Sequence, residues 1–449
     1  MALLKDNAAI TEAAVEALVA RFDEPSWLAE ERRAALRSYQ ATPFPTNRDE
    51  VWRYTQLERF AIDGLELVDG PRDPSVADRI GMRIEDSDAE AAMVIKNGAV
   101  VYRVGEASEV SEGSAASGRG VVFTDLRTAL RDHEPLVREH LYGVVNATMS
   151  KAAALDAALW TNGTFLYVPR DVEVALPLGT FTTADRGGLS AGRTLIVVDV
   201  NAKVTFVDEY TSEPIGERLA HHAATEIVLK DGAKLRYVSL QNWSRDVVQQ
   251  NKIRARLSRD ARLESLTVSL GGDAARAEVE VRLEGPGAES EMLGLYFADE
   301  GQHYNQYTVQ HHATDHALSD LLFKGALRDA STAVYSGVIV VDPGAQKTDA
   351  YQTNRNLLLD DESEAVSIPQ LEIKANDVRC SHGSTTGPVP DDQRFYLMSR
   401  GLRPEVAEHV LVTGFLYEVM SRVTLPKVAE YVERVVQAKL GVPGVKEKL

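Results

Sequence analysis

Short β-prone runs recur along the middle of the chain, and this repeat restricts the possible folds more than any other feature. From about Asn162 to residue 341, the runs are rich in Val, Ile, Thr, Tyr and Leu, and Gly, Asp and Asn separate them, as in TLIVVDV and KVTFVDEY. Almost no helical pattern lies between the runs, so they predict strands at regular intervals.

A turn-forming residue followed by alanine recurs where these runs meet. The steps are Asn201-Ala202, Gly232-Ala233, Asp260-Ala261, Gly287-Ala288, Asp329-Ala330 and Gly344-Ala345. The alanines lie 31, 28, 27, 42 and 15 residues apart, mostly near multiples of half a solenoid coil. Such a period indicates stacked coils that bury their apolar faces against one another. The pattern favours a mainly β fold with a right-handed parallel β-helix core, and a large double β-sandwich is the alternative.

Residues 1–150 are predicted to form an N-terminal helical and α+β region. Asn97-Gly98 between two apolar runs indicates a β-hairpin. Apolar residues at helical spacing, or a possible helix cap, predict helices over 8–22, 27–39, 47–60 and 124–145.

The β-helix core is predicted over residues 151–388, and a helical domain over 389–449. Pro404 and Pro426 are each suited to the first turn of a C-terminal helix, where a missing N–H does no harm. One of these helices carries an apolar stripe that needs cover from the β-body or from a partner. The stripe consists of Val406, Val410, Phe415 and Leu416.

Charge and cysteine content exclude several classes of protein. The net charge of −18 argues against binding to nucleic acid or to an anionic membrane surface. No apolar run is long enough to span a bilayer, and the acidic N-terminal segment is unlike a secretory signal. The single cysteine cannot form an intrachain disulfide and suits a reducing compartment, so we expect a cytoplasmic protein.

That cysteine, Cys380, lies two residues before His382. In an extended strand these two side chains point to the same face. A structural zinc site needs four protein ligands, and the chain has no second cysteine to complete one. The pair therefore suggests half of a metal site shared with another chain. A buried thiol beside a hydrogen-bonded histidine is the alternative.

The other histidines give weaker signals. His303, His311, His312 and His316 cluster in one segment, and their spacing favours a polar ladder on the solenoid surface over a metal site. His221 and His222 are adjacent, so they would point to opposite faces of a strand.

Common catalytic motifs are missing from the sequence. It contains no G-x-x-x-x-G-K-[ST] loop, no G-x-S-x-G elbow and no H-E-x-x-H helix, so we expect a protein that is not an enzyme. The competing hypothesis is a β-helix enzyme acting on polysaccharide, with an acidic pair such as Asp360-Asp361 as its carboxylates.

Four segments near the C-terminal end of the core resemble one family. They are SDLLFKGAL (319–327), GAQKTDAYQTNRNLLL (344–359), IPQLEIKANDVRCSHGSTTG (368–387) and FYLMSRGL (395–402), with fainter matches at 45–55 and 155–178. The chain resembles the SufB/SufD family of scaffold subunits in SUF iron–sulfur cluster assembly. It is more similar to the SufD branch, because it has Cys380-Ser-His-Gly where SufB-type chains tend to have Glu-His-Glu-Ala.

The resemblance implies a non-catalytic scaffold that pairs with a SufB-type subunit and carries a SufC-type ATPase on its C-terminal helices. It also implies a transient cluster at the SufB–SufD interface, with a SufB cysteine and His382 as ligands and Cys380 beside them. On this reading the chain binds no cofactor stably by itself, and ATP acts only through the partner ATPase. In isolation the chain could form a homodimer. A SufB-like scaffold that holds a cluster by itself is a further alternative.

Overall fold

A computed structural model of the chain describes residues 4–68, 70–75, 89–105, 120–423 and 425–442. The helices are α1 (Glu12–Arg21), α2 (Ser26–Ala41), α3 (Leu126–Asp132), α4 (Glu134–His140), α5 (Lys151–Leu159), α6 (Asp391–Ser399), α7 (Pro404–Met420) and α8 (Pro426–Lys439). The first ten strands are β1 (Ala91–Lys96), β2 (Ala99–Val104), β3 (Val122–Asp125), β4 (Thr164–Val168), β5 (Leu178–Thr183), β6 (Gly188–Val198), β7 (Lys203–Thr211), β8 (Leu219–Leu229), β9 (Lys234–Asn242) and β10 (Val247–Leu257). The others are β11 (Arg262–Ser269), β12 (Ala274–Leu283), β13 (Glu289–Ala298), β14 (His303–His312), β15 (Leu318–Leu327), β16 (Thr332–Val341), β17 (Asp349–Leu358), β18 (Glu364–Ile373) and β19 (Arg379–Pro388).

Strands β4–β19 wind into a parallel β-solenoid. Each strand pairs in parallel with the strand two positions away in the chain, so even-numbered strands form one sheet and odd-numbered strands the other. Two strands make one coil, and these sixteen strands therefore make about eight coils. The predicted β-helix is confirmed, and the double-sandwich alternative is wrong.

The residue–alanine steps are corners of the solenoid. At Asn201 and Asp260 the backbone is left-handed, with φ of 57° and 55°, and the chain changes direction there. The alanine that follows is fully buried in each case, because its small side chain fits inside the corner. Asp329-Ala330 differs, since Ala330 is itself left-handed and exposed. The next residue, Ser331, takes the buried place.

The N-terminal region covers the outer face of the even-numbered sheet. Helix α5 packs with α1, α2 and α3 in one apolar cluster that also includes Leu189 and Ala220 of that sheet. Strands β1 and β2 form the predicted hairpin, with Asn97 and Gly98 both at positive φ. This region extends the odd-numbered sheet through β1.

Two predicted helices of this region differ in the structure. Residues 47–60 form only two short 3₁₀ turns, Glu50–Trp52 and Leu57–Phe60. The Asn47 side-chain amide donates to the carbonyls of Trp52, Arg53 and Thr55, and these bonds replace those of a helix. The segment 124–145 forms a short strand end followed by α3 and α4, because Pro135 cannot continue the first helix.

Helices α7 and α8 pack on the outer face of the odd-numbered sheet. Their buried residues, among them Val412, Leu416 and Val432, form one apolar cluster with β9, β11, β13 and β15. Pro404 and Pro426 occupy the first turns of α7 and α8, as predicted. The last strand, β19, ends at Pro388, and α6 follows it.

Candidate functional site

The solenoid has an open end formed by β18 and β19, which we call the open edge. Each is the outermost strand of its sheet, with β16 and β17 as their neighbours. Within the described residues, the other backbone edge of each strand is unpaired. Unpaired edges of this kind are templates for pairing with another chain.

Cys380 and His382 both lie on β19, on the side that faces the solenoid interior. Their register partners on β17 are Ala350 and Gln352, which are fully buried. In the part of the chain that the structure describes, no further coil covers β19, and His382 is exposed to solvent. Cys380 is half-buried against an apolar cluster that includes Ile339. The segment therefore lies at the surface of the open edge.

The two side chains supply a thiol and an imidazole. Burial raises the pKa of the Cys380 thiol, and the negative charge of Asp349 raises it further. A metal ion that binds this sulfur would displace its proton. Among the residues that the structure describes, no three His, Cys, Asp or Glu side chains are grouped to hold a metal ion.

Apolar side chains lie beside this pair on β18. Leu371 and Ile373 align with Ile339 and Val341 of β16, which are fully buried. Leu371 and Ile373 are themselves exposed, because the solenoid ends there. The apolar interior thus continues to the open edge, and another strand pair could bury it.

The predicted docking stripe on α7 divides between buried and exposed positions. Leu416 is only 3% exposed and packs within the cluster that holds α7 to the solenoid. Phe415 and Val406 are half-buried, and Phe415 contacts the same cluster. Val410 is exposed. The β-body therefore covers part of the stripe, and Val410 is the member most open to a partner.

Sequence reasoning did not select the apolar residues of α6. Phe395 is 73% exposed, and Tyr396 and Met398 are also exposed. The signal was present in the sequence as the apolar run Phe-Tyr-Leu-Met within an otherwise polar helix. Because such residues favour protein interfaces, α6 is the clearest candidate docking surface in the C-terminal region.

Asp360, a residue of the competing enzyme hypothesis, caps a turn. It accepts hydrogen bonds from the backbone of Glu362, Ser363 and Asp329 and from the Ser363 hydroxyl. Partial burial alone would raise the pKa of this carboxyl, but these bonds outweigh it and lower the pKa. The geometry thus gives Asp360 a structural role.

The clustered histidines divide between the two faces of β14 and its following turn. His303 and His311 lie on the outer face. His303 bonds Thr332 and the backbone N–H of Gln56, and His311 bonds Asp342 and Arg282. His312 points inward and bonds Ser319 at 2.8 Å. His316 is an exposed turn residue beside Asp315.

Fold and site together define a parallel β-solenoid whose open edge carries a thiol and an imidazole side by side. Residues 181–415 match the family model "SUF system FeS cluster assembly, SufBD core domain", and residues 16–179 match "SufBD protein N-terminal region". The chain belongs to the SufBD family of iron–sulfur cluster assembly proteins.

Curated relatives agree with this assignment over most of the chain. A SufBD family protein of Mycobacterium leprae is 31% identical over 86% of this chain and 88% of its own length. One from Mycobacterium tuberculosis H37Rv is 30% identical over 90% of this chain and 91% of its own length. The SufB protein of Bacillus subtilis is 27% identical over 93% of this chain and 90% of its own length. No helix among the described residues is long and apolar enough to cross a membrane.

Proposed function

We propose that this chain is a SufD-type, non-catalytic scaffold of iron–sulfur cluster assembly that works in the cytoplasm. The observation that carries the proposal is the position of Cys380 and His382 on the open edge. The Cys-Ser-His-Gly sequence at 380–383 supports the SufD branch over the SufB branch. A single cysteine is compatible with a reducing cytoplasm.

The partner at the open edge is a SufB-type subunit, whose own strands would pair with β18 and β19. Thiolate and imidazole are suitable ligands for iron in clusters. Cys380 supplies a thiolate and His382 an imidazole, and a cysteine of the partner adds a second sulfur ligand that this chain lacks. The cluster is a transient cargo of the interface and not a resident cofactor of this chain.

A SufC-type ATPase is the second partner, docked on the C-terminal helices. The exposed apolar residues Phe395 and Tyr396 of α6 and Val410 of α7 support a surface there. Helix α7 is fixed to the solenoid through Leu416, so a movement of the ATPase would be passed to the odd-numbered sheet. That sheet ends at β19.

Reconstitution with a SufB-type and a SufC-type subunit tests the ligand role. We expect His382→Ala to lose most cluster formation while the three proteins still co-purify. The matched control is Ser384→Ala, on the same face of the same strand two residues further on, and it should assemble clusters at the normal rate. Normal assembly by His382→Ala would show that the ligand role is wrong.

A SufB-like role is the second candidate, and the similarity to the Bacillus subtilis SufB protein favours it. A chain of that type would hold a cluster without a paralogous partner, including as a homodimer through the open edge. The ultraviolet–visible spectrum of the anaerobically purified chain separates the two candidates. A SufD-type chain is expected to be colourless, whereas a SufB-like chain would show iron–sulfur absorption.

A further inference from the structure

A cavity of about 310 Å³ lies between the N-terminal region and the outer face of the even-numbered sheet. Its floor includes His222 of β8 and Gln250 of β10. In the sheet, β8 is five strands from β18, about 24 Å at the usual strand spacing. The cavity is therefore separate from the open edge, and its volume falls within the usual range of small-molecule sites, about 300–1,000 Å³.

Two polar side chains on the cavity floor have unused hydrogen-bonding capacity. His222 is 5% exposed, and no described residue forms a hydrogen bond with its ring. Gln250 is its register partner on the adjacent strand, is half-buried, and likewise has no hydrogen-bond partner among the described residues. Buried polar groups are usually hydrogen-bonded, so the imidazole of His222, together with the neighbouring Gln250 carboxamide, is available to bond a ligand in the cavity.

The protonation state of His222 restricts the kinds of ligand that the cavity can bind. Burial lowers the pKa of its imidazole to about 4, so the ring is neutral at physiological pH. A neutral imidazole has one donor and one acceptor nitrogen, and a carboxamide has both a donor and an acceptor group. Together they match a ligand edge on which donor and acceptor alternate, as in an amide or a nucleobase.

Three charged residues line the cavity, and all three already have partners within the chain. Asp49 accepts hydrogen bonds from the backbone N–H and the hydroxyl of Thr46. The Glu278 carboxylate forms an ion pair with Lys252 and accepts a hydrogen bond from the Nε of Arg276 at 2.8 Å. The ammonium of Lys151 donates to the carbonyls of Tyr39 and Thr42, both at 2.9 Å. These groups need no ionic ligand, so an uncharged molecule suits the cavity.

Aromatic residues line the side of the cavity that the N-terminal region supplies. They are Tyr39, Phe44, Trp52 and Phe60. Aromatic rings of this kind favour flat, apolar rings in stacked or edge-on arrangements. We propose that the cavity binds a small uncharged aromatic heterocycle, whose amide-like edge is recognised by His222 and Gln250.

Ligand-observed NMR on the purified full-length chain tests this with 2-quinolone as the probe. We expect saturable binding, weakened at least about tenfold when the probe is N-methylated, because methylation removes the donor of the amide edge. His222→Leu and Gln250→Leu should each weaken 2-quinolone binding by a similar factor. The matched control His316→Leu, at an exposed turn, should bind the probe like the wild type.

The comparison of 2-quinolone with its N-methyl form needs only the wild-type chain, so a variant that fails to fold does not decide the test. Absence of saturation up to about 10 mM probe would overturn the proposal. Equal affinity for the methylated probe would overturn it as well. Unchanged binding in both folded variants would show that the probe binds elsewhere.

Discussion

The ammonium of Lys324 on β15 donates to the main-chain carbonyl of Phe415 on α7 across 2.8 Å. The same ammonium pairs with Glu418 and lies over the Phe415 ring. The Lys324 side chain is almost fully buried, so solvent competes little for these contacts. We expect Lys324→Met to lower the free energy of unfolding by about 2–3 kcal/mol, as measured by urea denaturation.

Arg355→Met is the matched control for that change. Arg355 also reaches Glu418, at 3.2 Å, but from an exposed position. Its loss should therefore cost less than about 1 kcal/mol. An equal effect of both variants would mean that the buried lysine does not hold α7 in place.

The N-terminal region is tied to the solenoid by a buried group of charges that should make stability depend on pH. Arg193 of β6 pairs with both Asp156 of α5 and Glu226 of β8. Burial raises the pKa of the Asp156 carboxyl from 3.8 to about 7. The positive charge of Arg193 lowers this pKa and the negative charge of Glu226 raises it, but burial is the largest effect. The folded chain therefore binds this proton more tightly than the unfolded chain does.

It follows that the free energy of unfolding should fall as pH rises from about 4 to about 7, by up to about 1.4 kcal/mol per pH unit. Asp156→Asn should remove this contribution to the slope, which urea unfolding across that pH window measures. Asp361→Asn, in an exposed turn, is the control and should keep the wild-type slope. A wild-type slope in Asp156→Asn would contradict the assignment.

Cys380 should react slowly with alkylating agents in the isolated chain. Its pKa is raised and its side chain is half-buried, so little of the reactive thiolate is present at neutral pH. Because the chain has no other cysteine, mass spectrometry after iodoacetamide treatment reports on this thiol alone. We expect a rate below that of free glutathione at the same pH. Asp349→Asn should raise it, and a rate equal to that of glutathione would refute the expectation.

Pairing through the open edge can be tested on β18. Leu371→Lys places a charge on the face that a second strand pair would bury, and edge lysines oppose pairing. We expect loss of the complex with a SufB-type subunit in size-exclusion chromatography, with the free energy of unfolding of the isolated chain changed by less than about 0.5 kcal/mol. Glu372→Lys, on the opposite face of the same strand, should leave the complex intact.

Docking on α6 predicts that Phe395→Ser weakens co-purification with a SufC-type ATPase while the chain stays folded. Phe395 is largely exposed, so its removal costs little packing. Replacement of Phe415 and Leu416 by Asp should also weaken co-purification, but with loss of stability, because Leu416 is buried. Unchanged co-purification in Phe395→Ser would exclude this face of α6.

The solenoid could be predicted because it depends on residues that are close together in the sequence. A left-handed residue followed by a small buried residue, as at Asp260-Ala261, recurs at corners of the chain, so the requirement is visible as a repeat. Strand spacing likewise placed Cys380 and His382 on one face. Their exposure could not be derived from spacing, because it depends on β19 being the outermost strand.

Features that depend on individual side-chain hydrogen bonds or on distant contacts could not be predicted. The Asn47 amide that replaces helix bonds in 47–60 looks like any other asparagine in the sequence. The cavity beside His222 exists because the segment around Trp52 lies across β8, β10 and β12. The spacing of apolar residues in a sequence does not show which strands such a covering segment will contact. The same reason explains why Leu416 appeared available in the sequence and is buried in the fold.

The coils of this solenoid stack in register, so the free backbone edge of β19 has the geometry needed to pair with one more parallel strand. If a partner strand pairs there, as proposed above, chains made without that partner would keep an unpaired β edge and would tend to aggregate. Balanced synthesis of the proposed pair of subunits would then be a condition of solubility as well as of assembly.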